Sequence, residues 1–197
     1  MIFNLADINL DQIGQTLKDG GIGVMPSDTV YGIFTSALNN TSVENLYLIR
    51  KRDLNKPFII LISSLDDLEI FKISLNNYQR QFLEKVWPNP VSVILPCEDK
   101  RFFYLHRGTN SLSFRFPKLK WLQSLLKKSG PLVAPSANLA GRPTAQNIKD
   151  ARKYFKNEID FYIDAGEIKS PPSIIIQLGH QSFKTIRQGN FNFSACL

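Results

Sequence analysis

Apolar positions fall in short runs whose spacing switches between helix and strand periods. Residues 8–19 put Leu10, Ile13 and Leu17 on one helical face, and Gly20-Gly21 stops that helix. Residues 22–25 read as a short buried strand. Thr41 to Glu44 spell a T-x-x-E capping box, which predicts a helix from there to about Arg52. FIILI (58–62) reads as a buried strand, Ser64 to Asp67 open another helix, and residues 76–87 form one more. SVILP (92–96) is a strand, and SLSFRF (111–116) alternates, with Leu112, Phe114 and Phe116 facing away from Ser111, Ser113 and Arg115. KLKWLQSLLKKSG is an amphipathic helix with a glycine stop, LVAP (132–135) a strand, and 147–155 a helix. The tail, from DFYID through SIIIQL to FKTIR, is strand-rich. This alternation predicts an α/β (α+β-like) architecture, a mixed sheet flanked by helices.

The 197 residues carry no internal repeat, low-complexity tract or long linker, so one domain over 1–197 is expected. No apolar run approaches the ~20 residues that cross a bilayer, and the N-terminal MIFNLADINLDQ lacks the basic region of a secretory signal. Neither reading leaves room for a membrane partner. Cys97 and Cys196 lie far apart and match no zinc or redox spacing, which fits a reducing cytoplasm. A formal net charge of +7 implies attraction to polyanions, either nucleic acid or a phosphate-bearing ligand, and equally describes a basic solvated surface.

Two strands end alike. VMPSDT and VAPSAN run from apolar residues into proline and then into hydroxyl and amide side chains. Proline ends ladder pairing, and ligands of open α/β sheets favour the carboxyl ends of strands. Ser27, Asp28, Thr29, Ser136 and Asn138 are thus candidates for one polar pocket, although two ordinary capped turns would give the same pattern. RKRDLNKP (50–57) gathers cations at a helix end, where they complement the helix dipole; Arg50, Arg52 and Lys56 also suit phosphate oxygens. Arg115, on an otherwise apolar strand, needs either a structural carboxylate or an anionic ligand. Arg187 resembles it more weakly.

Phosphate-loop and dinucleotide glycine patterns and the G-x-S-x-G elbow are absent. His106 and His180 lack partners at metal spacing and read as surface or loop histidines. Phe102, Phe103 and Tyr104, beside Arg101 and Arg107, suit either base stacking or a strand or loop packed on the core.

In order along the chain, PSDTVYGI, LIRKRDLNKP, WPNPVSVILP, SLSFRFP, APSANLAGRPT, and GEIKSPPSIII with TIRQG resemble the motifs of the threonylcarbamoyl-AMP synthase family of YrdC/TsaC type, in its short single-domain form. The likeness covers about residues 10–190. Arg50 stands where the family has lysine, Asp53 where it has proline, Asn89 where it has glycine, and Ser27 where it has threonine. The resemblance implies a YrdC-type twisted mixed sheet with a basic concave cavity. It also implies a reaction joining L-threonine, bicarbonate and ATP into threonylcarbamoyl-AMP and pyrophosphate, for t6A modification of tRNA.

Carried over residue by residue, it assigns catalysis to Arg50, Arg52 and Lys56. ATP would meet these three with Ser111, Ser136, Asn138, Thr144 and Arg187, and threonine would meet Thr29, Arg115, Ala134 and Ser173. Mg2+ is expected to arrive on the nucleotide, with no protein metal cage. Implied partners are the downstream t6A transferase proteins, with RNA contact possible. Two other readings remain at this point. One is a non-enzymatic module gripping double-stranded RNA or tRNA by its phosphates. The other is a related carbamoyl-adenylate activity, as in hydrogenase maturation proteins, whose zinc-finger and acylphosphatase-like segments this chain lacks.

Overall fold

The computed structural model describes residues 1–189 and 191; Cys196 lies outside the described residues. Its strands are β1 (Ile2–Asn4), β2 (Gly23–Pro26), β3 (Tyr31–Ser36), β4 (Ile59–Leu61), β5 (Val91–Pro96), β6 (Ser111–Arg115), β7 (Leu132–Val133), β8 (Phe161–Asp164), β9 (Ile174–Leu178) and β10 (Phe183–Arg187). The helices are α1 (Leu10–Lys18), α2 (Asn40–Arg50), α3 (Asp67–Ile70), α4 (Asn77–Val86), α5 (Phe103–His106), α6 (Lys120–Ser129) and α7 (Ile148–Phe155). One ten-stranded sheet runs in the order β1-β8-β2-β3-β7-β4-β6-β5-β9-β10. It is mixed: β1/β8, β8/β2, β4/β6 and β5/β9 pair parallel, and the other neighbours antiparallel. Among the described residues no helix is long and apolar enough to cross a membrane.

Successive strand side chains point to opposite faces, so the sheet divides the core in two. Val24, Ile33, Ile60, Val133 and Tyr162 join a larger cluster with Leu46 of α2, Phe82 of α4 and Ala151 of α7. Met25, Phe34, Leu61, Leu132 and Phe161 face the other way, onto Ile13 and Leu17 of α1 and Leu122, Leu125 and Leu126 of α6. Each fully buried leucine contributes about 2 kcal/mol. This second face is where the site forms. Strand register carries it from Leu61 to Arg115, and from Ser92 through Ile175 to Arg187. Beyond the cover of α1 and α6, apolar side chains give way to serines and arginines.

Several elements differ from the sequence reading. Asn39, not Thr41, caps α2, because its side chain accepts the Ser42 N–H; Glu44 instead pairs with Arg107 at 2.8 Å. The helix also ends two residues early, at Arg50, where Lys51 turns left-handed. Strand β3 was not anticipated: the polar SDT is the tight turn of a β2–β3 hairpin, and the chain re-enters the core at Tyr31. Edge strand β1 was missed too, since its three residues are mostly exposed and show no burial pattern. Helix α3 begins at Asp67, whose carboxylate accepts N–H groups from Ser63 and Ser64. Phe102–Tyr104 is neither strand nor loop but a short helical segment: Phe102 is buried, and the Tyr104 hydroxyl donates to Ala37 O. His106 is buried rather than on the surface, its Nδ1 accepting the Gly108 N–H, whereas His180 is exposed.

Candidate ligand cavity

Two proline breaks meet at the centre of the sheet. After β2, Ser27 Oγ accepts the Thr29 and Val30 N–H groups and donates to Val30 O, winding Ser27–Val30 into a compact turn. After β7, the chain stays beside β3: Ile33 N–H donates to Pro135 O, and Ala137 N–H to Tyr31 O. Gly32 permits this approach, since a Cβ there would lie 2.7 Å from the Phe34 ring and 3.3 Å from Pro135 O. A cavity of about 470 Å³ opens between the breaks. The segment 165–172 roofs it. Tyr31 anchors that roof, its hydroxyl accepting the Ala165 N–H at 2.8 Å and donating to Gly166 O at 2.9 Å.

Eight of the twelve residues expected at the site line this cavity: Thr29, Arg52, Arg115, Ala134, Ser136, Thr144, Ser173 and Arg187. The other four do not. Arg50 is 2% exposed and lies behind the wall, donating through Nε to Asn138 O and through Nη2 to Asn138 Oδ1 at 3.0 Å. Asn138 is buried as well; it accepts from the Ser136 hydroxyl and donates to Leu139 O and Arg142 O. Arg50 and Asn138 therefore shape the turn that presents Ser136. The Lys56 ammonium points outward, 3.7 Å from Asp53, because Lys56 closes an exposed turn. Ser111 belongs to a separate hollow with Pro96, Asn110 and Gln177. It begins the strand that Arg115 ends, and four residue steps along a strand are roughly 13 Å. Sequence reasoning missed Phe58, Gln146, Lys169 and Ser170, which also line the cavity. Nothing in the local pattern of 165–172 marks it as a roof.

The electrostatics are one-sided. Arg52, Arg115, Lys169 and Arg187 line the cavity, and no aspartate or glutamate does among the described residues. Of the two partners the sequence left open for Arg115, the structure supplies the carboxylate. Arg115 Nη2 lies 3.3 Å from Asp28 Oδ1, with both side chains 5% exposed, and its Nη1 donates to the Thr29 hydroxyl at 3.1 Å. Its Nε is buried without a partner. Arg187 donates to Ser173 O and Ser173 Oγ, and Ser173 Oγ lies 2.9 Å from Ser92 Oγ. Burial pulls the Arg187 guanidinium below its ordinary value, and the Arg115 charge adds to this. Burial likewise lowers Arg52 and Arg115. It brings Arg50 to about 10, with the Arg52 charge contributing. Arg50 has only neutral partners, and its Nη1 has none. Arg115 is paired with Asp28 and Lys169 with Glu167 at 3.0 Å, whereas Arg52 and Arg187 have no carboxylate at ion-pair distance among the described residues.

Fold and cavity define a mixed-sheet α/β protein with a basic chamber of small-molecule size. A sequence model of the Sua5/YciO/YrdC family, described as telomere recombination, matches residues 15–189, and the chain belongs to that family. It is 27% identical to the threonylcarbamoyl-AMP synthase of Pyrococcus abyssi over 78% of this chain and 45% of that protein. It is 28% identical to that of Cellvibrio japonicus over 73% of this chain and 77% of the relative. It thus spans about half the length of the first relative and most of the second. Its fold superposes on the crystal structure of P. abyssi Sua5 complexed with L-threonine with a TM-score of 0.89, at 24% identity, covering 99% of this chain and 59% of the other.

Proposed function

We propose that the protein makes threonylcarbamoyl-AMP and pyrophosphate from L-threonine, bicarbonate and ATP. The observation that carries this reading is the chamber lined by four cations and, among the described residues, no carboxylate, backed by the buried, uncompensated Arg50. Its volume suits a nucleotide beside an amino acid. A double helix of RNA would need an open surface instead.

In this reading Arg115, with Thr29 and Ser173, takes the threonine carboxylate, and Ala134 lines that end. Arg52, Ser136, Thr144 and Arg187 surround the nucleotide. The threonine amine adds to the carbon of bicarbonate, releasing water and leaving a carbamate. A carbamate oxygen then attacks the α-phosphorus, and the bond to pyrophosphate breaks. Both partners of that attack are anionic, so the fixed guanidiniums offset their repulsion without reorganising. Neither histidine lines the cavity, and no serine or threonine in it pairs with a base, which favours direct attack over a covalent enzyme intermediate. The lining offers Mg2+ no carboxylate, so the ion would come on the polyphosphate and neutralise charge there. The product would pass to a transferase that modifies tRNA, in a cytoplasmic setting, with the whole chain acting as one domain.

The test is pyrophosphate release from ATP by the purified chain. Release that requires both threonine and bicarbonate supports the reading. Steep, salt-sensitive RNA binding without such turnover overturns it.

A further inference from the structure

Arg52 is the lining guanidinium nearest the helix end, and three separate features hold it. Lys51 turns left-handed at φ 51° and breaks α2, so that Arg52 N–H folds back onto Tyr47 O at 3.1 Å. Arg52 Nε donates to Lys56 O at 3.1 Å. Its guanidinium carbon sits 5.4 Å from the centre of the Phe58 ring. Tyr47 stands behind all three. Its hydroxyl donates at 3.2 Å to the same Lys56 carbonyl that Arg52 uses. Its ring stacks on Phe58 with centroids 4.0 Å apart and planes at 23°. Its other side carries the Arg107 guanidinium, 4.1 Å from the ring centre and paired with Glu44. A continuous stack therefore runs Arg107–Tyr47–Phe58–Arg52, from the α2–α5 contact to the cavity wall.

We propose that Tyr47 is a positioning residue for Arg52: through the shared Lys56 carbonyl and the Phe58 ring it fixes where that guanidinium meets a phosphate. Tyr47 is 1% exposed and does not line the cavity, so it acts only through its neighbours. An arginine carries several rotatable bonds, and freezing them beforehand lowers the entropy lost when an anion binds. A carbonyl shared by two donors becomes a fixed point, and a ring clamped between a cation and a second ring cannot yield. The electrostatic benefit of Arg52 depends on that fixed placement.

This inference rests on the reading of the cavity as a nucleotide site, and its test keeps the two apart. Tyr47→Phe removes the hydroxyl and keeps the ring. Calorimetric titration with ATP is expected to show about fivefold weaker binding, the size of one lost hydrogen bond, with threonine binding unchanged. In an Arg52→Ala background the same substitution is expected to add nothing. Unchanged ATP affinity, or an equal added loss in that background, overturns the proposal. A second readout needs no ligand. The Arg52 Nε–H signal in nitrogen-15 spectra is expected to exchange slowly with water in the native chain and several-fold faster in Tyr47→Phe. If the native chain binds no ATP, the nucleotide reading fails, and this signal still decides the role of Tyr47: equal exchange in both proteins rejects it.

Discussion

Arg115 and Asp28 form an ion pair 3.3 Å apart that is almost sealed from solvent, one partner ending β6 and the other in the β2–β3 turn. The pair ties a strand end to a turn 87 residues earlier in the chain (115 minus 28). It also sets the direction of the guanidinium, leaving Nη1 on the Thr29 hydroxyl.

Asp28→Asn keeps the shape and removes the counter-charge. Arg115 then faces the Arg187 charge with no carboxylate beside it, and breaking such a buried pair costs about 3 kcal/mol. Urea denaturation is the measurement. An anion filling the cavity should restore part of the loss, so pyrophosphate should raise the midpoint more in the variant than in the parent. Equal stability of the two proteins refutes this account of the pair.

Arg115→Lys keeps a cation beside Asp28 but loses the planar fork. The threonine concentration needed for half-maximal turnover should rise about tenfold or more, while the ATP requirement changes little. Steady-state pyrophosphate release read against each substrate separates the two. Parallel increases speak against the carboxylate assignment.

For Arg52→Ala, threonine-dependent pyrophosphate release should fall at least ~100-fold, the scale expected when a fixed charge facing a developing anion is removed. Arg52 is not part of the apolar core, so circular dichroism and the melting temperature should stay close to the parent's. Retained turnover in this variant is the result that rules out its role at the phosphates.

Asn138→Ala removes the Oδ1 that accepts from Arg50 Nη2, keeps the main-chain oxygen that accepts from Arg50 Nε, and leaves Leu139 O and Arg142 O without their donor. A loss of about 3 kcal/mol is expected from the unpaired buried groups. Thermal unfolding reads it, and a change under 1 kcal/mol argues that water replaces the side chain at no cost.

The two serines once grouped at the nucleotide separate in the structure. Ser136→Ala should raise the ATP requirement about tenfold or more, the worth of a hydrogen bond to a charged group. Ser111→Ala, in its separate hollow, should leave it within about twofold. A matched pair of ATP titrations decides between them, and the reverse ranking defeats the cavity assignment.

Much of this architecture was legible. The 3.6-residue spacing of Leu10, Ile13 and Leu17 gave α1, and the alternation of 111–116 gave β6 with Arg115 on its polar face. Both proline breaks were visible as chemistry out of place in a strand. What local pattern missed has a common physical cause. β3 is buried on both faces, so YGIFTS shows neither alternation nor helical period, and its polar lead-in read as an exit rather than a hairpin turn. The capping box at Thr41 was a correct motif in the wrong place, since Asn39 reached the free N–H groups first.

By itself the sequence determined which residue types carry charge and hydroxyls, where most of the helices and several of the strands lie, and which family motifs recur in order, because these follow from local sterics and short-range periodicity. Only the tertiary structure decided that Arg50 lies sealed behind the wall while Arg52, two residues on, faces the cavity. It alone put Lys56 in solvent and brought Asp28 against Arg115. The reason is that a side chain's surroundings depend on which distant strands become neighbours, and a left-handed turn at one residue, Lys51, is enough to send adjacent cations to opposite environments.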